Sequence, residues 1–124
     1  MAYLVAFEDE LAVATLLEYS LKNFGHSVDI FPNGCDDSLK KLLLLKNNPD
    51  LFLLDFNMPG RNGLEVLTLI RTDTAYHRFS DVPVMGIGDF PKDQRSGLVD
   101  CYPKTWALRD LNNRINVALQ NRTG

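Results

Sequence analysis

Three acidic side chains and one lysine stand where they could do chemistry together. Glu8 and Asp9 follow the apolar run Tyr3 to Phe7, Asp55 follows Leu51-Phe52-Leu53-Leu54, and Lys104 follows Val99 to Tyr102. Carboxylates crowded to about 4 Å repel by roughly 4 kcal/mol at an effective dielectric near 20, so the trio must hold a proton or recruit a cation. The all-oxygen donor set suits Mg²⁺, which keeps several waters and shares its shell between one or two carboxylates and phosphate oxygens. A carboxylate can also attack phosphorus and form an acyl phosphate. Asp55 is the candidate nucleophile, because it ends an apolar strand and precedes an open loop, Phe56 to Gly63, which leaves Glu8 and Asp9 to hold the metal. Lys104 could neutralise phosphoryl oxygens, and phosphoryl transfer is catalysed mainly by positioning and charge neutralisation. Taken singly, Asp9 reads as a helix N-cap and Lys104 as a surface lysine; it is their joint placement at strand ends that makes a site.

The elements that must position these groups are legible as two alternating periods. Strands are expected at Tyr3 to Phe7, Ser27 to Phe31, Leu51 to Leu54, Val82 to Ile87 and Val99 to Tyr102. Between them Ala14, Leu17, Leu21 and Phe24 form one helical face, with Asp9 as N-cap and Gly25 as terminator. A second helix carries Leu39, Leu42 and Leu43 and stops before Asn47-Asn48-Pro49. A third opens on the capping-box pattern Asn62-Gly63-Leu64-Glu65, a short fourth follows Pro91, and the last shows Leu108, Leu111, Ile115 and Leu119 on one face. Strand and helix in alternation imply parallel strands joined by helical crossovers, hence a three-layer α/β sandwich with a five-stranded parallel sheet and helices on both faces. In such a sheet ligands bind beyond the carboxyl ends of the strands, which is where the four charged residues fall.

Composition narrows the function. At 124 residues the chain has room for one well-buried core, read as a single domain over 1–124. A net charge of -3 gives no long-range attraction for nucleic acid or an anionic membrane. Lys40, Lys41 and Lys46 read as the solvated face of a helix. Cys35 and Cys101 lack metal-ligand spacing, and no apolar run reaches the length of a membrane span, so a cytoplasmic protein with reduced thiols is expected. His26 and His77 show no partner pattern and read as surface or loop residues, and Trp106 as a packing residue.

The residues resemble a family. Glu8-Asp9 is similar to the acid pair of response-regulator receiver domains (CheY-like, on the flavodoxin-like fold), and Leu53-Leu54-Asp55-Phe56-Asn57-Met58-Pro59-Gly60 with Gly63 resembles their phosphoacceptor motif; the resemblance covers essentially the whole chain. It implies a phosphoaspartate switch in two-component signalling, charged on Asp55 by a histidine kinase or phosphotransfer protein and acting through contacts with a downstream partner protein. By the same resemblance Asn57 would offer its backbone carbonyl to Mg²⁺ beside Glu8, Asp9 and Asp55, and Lys104 would bind the phosphoryl group. The domain would be no enzyme, assisting only its own phosphotransfer and dephosphorylation. The motif specifies no oligomeric state.

Three positions depart from the pattern. Gly88 stands where the family carries Thr or Ser, removing a hydrogen bond to a charged group worth about 1.5 to 3 kcal/mol. Cys101 stands at the switch aromatic, with Tyr102 beside it, and Thr105 replaces the usual proline, so that a cis Lys104-Thr105 bond would cost about 2.5 to 4 kcal/mol. These changes spare the phosphorylation centre and damage the relay to the surface. A second reading is therefore a pseudo-receiver, an interaction module whose output does not depend on phosphate. A third, a flavodoxin-like cofactor binder, is disfavoured because Glu8-Asp9-Glu10 would repel a flavin phosphate.

Overall fold

The computed structural model describes residues 1–104 and 107–121; Thr105 and Trp106 lie outside the described residues. Five strands, β1 (Tyr3–Phe7), β2 (Ser27–Phe31), β3 (Leu51–Asp55), β4 (Val84–Ile87) and β5 (Asp100–Tyr102), form one parallel sheet in the order β2-β1-β3-β4-β5. The order reverses between β1 and β3, so the crevice of the fold opens at the carboxyl ends of those two strands.

Period-2 alternation divides the core in two. Val5, Phe7, Phe52, Leu54 and Val84 point to the face covered by α2 (Asp36–Leu42) and α3 (Gly63–Thr72). Leu4, Ala6, Leu51, Leu53, Met85, Ile87 and Tyr102 point to the face covered by α1 (Leu11–Asn23) and α4 (Leu108–Gln120). The central strands β1, β3 up to Leu54, and β4 are apolar because helices cover both sides, whereas edge strand β2 exposes Ser27 and Asp29 and β5 begins with Asp100. This is the expected three-layer sandwich.

Local chemistry sets the element ends. Helix α1 buries Ala14, Leu17 and Leu21, but Phe24 is 40% exposed and serves as the C-cap. Gly25, at φ +97°, donates to the Lys22 carbonyl while His26 donates to Leu21, which is the Schellman arrangement. Its N-cap is Glu10 and not Asp9, and no side chain caps it, because Asp9 turns toward the acid cluster. In α3 the expected capping box is present: the Asn62 side chain accepts from the Glu65 amide (2.9 Å) and the Glu65 side chain from the Asn62 amide (3.0 Å). Helix α2 ends earlier than the leucine pattern predicts, at Leu42, and Leu43 to Leu45 continue in tighter turns.

One crossover differs from expectation. Between β4 and β5 the described residues hold no α-helix, only a single 3-10 turn at Lys92–Gln94. Pro91 and Gly97 bracket that stretch, and without an apolar helical face it has nothing to dock as a helix. A further 3-10 turn, Thr74–Phe79, follows α3 and buries Tyr76 and Phe79.

His26 is also not a surface residue. It is 6% exposed, its Nε2 is 2.9 Å from Asn112 Oδ1 and its Nδ1 accepts from the Ala2 amide, so it donates from Nε2 and ties α4 to the start of β1. His77 is exposed, as expected.

Candidate functional site

Strand register assembles the site. Phe7 pairs with Leu54 across β1 and β3, so the next residue on each strand, Glu8 and Asp55, falls side by side at the crevice. Asp55 in turn pairs with Ile87 and Ile87 with Tyr102, which carries the β5 end and Lys104 to the same edge. Glu8, Asp9 and Asp55 each offer a carboxylate oxygen within 4.8 Å of the others. Lys104 Nζ lies 3.1 Å from Asp55 Oδ2 and 3.4 Å from Glu8 Oε1. The four charged residues named from sequence thus converge.

Burial makes this cluster electrostatically costly. Glu8 is 2% and Asp55 3% exposed, whereas Asp9 is open to solvent. Burial pushes the Glu8 carboxyl up to about 7, with Asp55 adding repulsion and the Glu10 amide, at 3.2 Å, opposing it. Burial also raises the Asp55 carboxyl, against the pull of Lys104. For Lys104 itself burial works downward, and the two carboxylates outweigh it and hold the ammonium charged. Glu8 Oε1 is buried and accepts no hydrogen bond among the described residues; Lys104 supplies it with charge but not with a bond. A buried carboxylate oxygen left unbonded among hard oxygen donors fits a small divalent cation, and the donor set could hold one.

The surrounding loop positions are less uniform. Asn57 is exposed in the loop two residues after Asp55. Gly63 lets the start of α3 approach β3, since a Cβ there would sit 2.6 Å from the Asp55 carbonyl oxygen. Gly88 has φ +95°, and a Cβ there would lie 3.4 Å from Asp55 Oδ1 and 3.5 Å from Lys104 Cε. Position 88 therefore flanks the acid cluster, but its backbone is one that a Thr or Ser would strain to adopt. The Cys101 thiol donates to the Gly88 carbonyl at 3.6 Å. Tyr102 cannot replace an aromatic at 101, because adjacent strand residues face opposite sides; its ring is packed under α4 and its hydroxyl donates to the Ala107 carbonyl at 2.9 Å. Thr105 lies outside the described residues.

Two features escaped the sequence reading. Leu11, Leu16 and Tyr19 on α1 are exposed by 82%, 40% and 68%, Leu11 lying in the first turn, three residues after Glu8; their spacing is not that of a single helical face, so periodicity does not mark them. Phe90 is 1% exposed beneath the start of α3, in edge contact with Phe56 at 5.1 Å between ring centroids. No local pattern marks it.

Comparison with known proteins agrees with this geometry. Residues 4–116 match the family model of the response regulator receiver domain. The chain is 32% identical over 126 aligned positions to the transcriptional regulatory protein CpxR homolog of Haemophilus influenzae, covering 97% of this chain and 51% of that protein. It is 44% identical over 71 residues to the transcriptional regulatory protein AfsQ1 of Streptomyces coelicolor, covering 57% of this chain and 30% of that one. The chain thus spans about half or less of the length of these curated relatives. Among solved structures it resembles the response regulator TrrA of Thermotoga maritima in complex with Mg²⁺-BeF, at 25% identity and a TM-score of 0.78, covering 94% of this chain and 98% of that one. A CheY-like receiver domain of Methanospirillum hungatei, at 19% identity and a TM-score of 0.81 with 99% and 97% covered, shares the fold. No helix among the described residues is long and apolar enough to cross a membrane. With its sheet order, its acid cluster and a family match running from β1 into α4, the chain belongs to the response regulator receiver domains of two-component systems.

Proposed function

We propose that residues 1–124 form one receiver domain that accepts a phosphoryl group on Asp55 from a histidine kinase or phosphotransfer protein. The observation that carries this reading is Asp55 itself, buried at a strand end with Oδ2 held 3.1 Å from Lys104 and with the unbonded Glu8 Oε1 beside it. Glu8, Asp9, Asp55 and the Asn57 backbone carbonyl would hold Mg²⁺. When bound, the ion supplies positive charge to the carboxylates and to the phosphoryl oxygens.

The chain's own residues do the rest. Lys104 fixes one Asp55 oxygen and neutralises phosphoryl charge, while Oδ1 faces the side-chain-free space over Gly88. Attack by an Asp55 oxygen forms the new O–P bond as the P–N bond to the donor histidine breaks, and the electron pair returns to the imidazole. Leu11, 82% exposed three residues after Glu8 at the start of α1, offers the donor an apolar contact beside the acceptor. The protein acts in the cytoplasm, where such donors present their histidine, and passes its state to a downstream partner protein. It catalyses no turnover of other substrates.

A pseudo-receiver role is the second reading, and Gly88 favours it, since neither a hydroxyl nor a backbone ready to carry one stands at that position. Calorimetric titration with beryllofluoride separates the two. Saturable binding that needs Mg²⁺ and is lost in Asp55→Asn supports the phosphoacceptor, and absence of binding at millimolar ligand supports the module.

A further inference from the structure

We infer that the β4–β5 crossover is a latched segment, pinned by Phe90 and Arg95, whose position does not follow the state of Asp55. The latch stands on geometry alone; its indifference to Asp55 rests on the phosphoacceptor reading above.

Phe90 is the bolt. Its ring fills a socket shaped by two glycines: a Cβ on Gly63 would come within 2.6 Å of the ring and one on Gly86 within 2.8 Å. Phe56 closes the socket from the β3 side and Leu98 from the far end of the crossover. Arg95 then locks the backbone, its Nε and Nη2 donating to the Phe90 carbonyl at 3.0 and 2.7 Å. The Cys101 thiol holds the chain two residues before Phe90 by donating to the Gly88 carbonyl. A planar guanidinium making two bonds to one oxygen fixes orientation as well as distance. These partners come from the crossover, the sheet and the start of α3, and none of these contacts is made by the side chain of Asp55, Glu8 or Lys104.

The parts that could make the segment respond are missing or turned away. Gly88 offers no side chain to a group on Asp55, and Tyr102 is committed to the opposite face of the sheet. On the crossover face of β5, Cys101 packs against the core cluster that holds Phe90. The crossover consequently presents one fixed surface whichever state Asp55 is in.

Hydrogen exchange of the full chain, followed by mass spectrometry, tests this. Wild type, Phe90→Ala and Arg95→Gln are compared with Mg²⁺ alone and with Mg²⁺ plus beryllofluoride, and Asp55 loading is checked by intact mass after acetyl phosphate. In wild type, amides 89–99 are expected to exchange within about two-fold of the same rate in both states, while either substitution speeds them about ten-fold without any loading. A change of about ten-fold in wild type on loading overturns the inference, as does wild-type exchange in the variants. Should Phe90→Ala not fold, Arg95→Gln, which removes only the two bonds to the Phe90 carbonyl, decides. If Asp55 takes no phosphoryl group, the phosphoacceptor reading falls, and the two variants still pass or fail the latch.

Discussion

Glu8 binds its proton up to about pH 7 in the folded chain, but only to about 4.5 when unfolded. Between those values the folded state holds more protons, so the metal-free protein loses stability as pH rises through the window. The full loss, reached above pH 7, is on the order of 3 kcal/mol. Denaturant melts between pH 5 and 8 in chelator should show this slope, and Glu8→Gln should flatten it; a pH-independent midpoint in wild type would contradict the assignment. Gly88 makes a second prediction at this scale. Because its φ is +95°, Gly88→Ala should destabilise by about 1 to 2 kcal/mol in a thermal melt, and Gly88→Thr should not behave as a simple repair of the family pattern. A stabilised Gly88→Ala would show that the backbone there relaxes freely.

At the scale of elements, Asn62→Ala should cost about 1 kcal/mol by removing the side-chain oxygen that accepts from the Glu65 amide in the α3 capping box, measured by denaturant midpoint at unchanged slope. How much could be read beforehand differs from one element to the next. β1 and β3 were legible because unbroken apolar runs bounded by acids admit few other assignments, and the capping box was legible because it is local. The β4–β5 crossover was not. Its sequence marks only a weak helix, and what fixes it, the seat of Phe90 between Gly63 and Gly86, joins segments far apart in the chain. His26 was misread for the same reason, its partner Asn112 being 86 residues away. The acids were found because strand ends and parallel connectivity dictate where they meet, whereas their burial and the unbonded Glu8 oxygen needed three dimensions.

For the molecule as a whole, the proposed site is a costly concentration of negative charge that a bound cation would relieve. Ligand binding to the folded state alone adds about 2.7 kcal/mol at about a hundred-fold excess over Kd. Mg²⁺ should therefore raise Tm, more at pH 8 than at pH 5, where protons compete for Glu8. An equal rise in Asp55→Asn and Glu8→Gln would place the ion elsewhere.

The most direct test of the central claim is acetyl phosphate labelling read by intact mass and fragmentation, with and without Mg²⁺, on wild type and Asp55→Asn. One added phosphoryl group, mapped to Asp55, dependent on Mg²⁺ and absent from the variant, is the expected result. Labelling that persists in Asp55→Asn, or wild type left unmodified under saturating donor and metal, would contradict it.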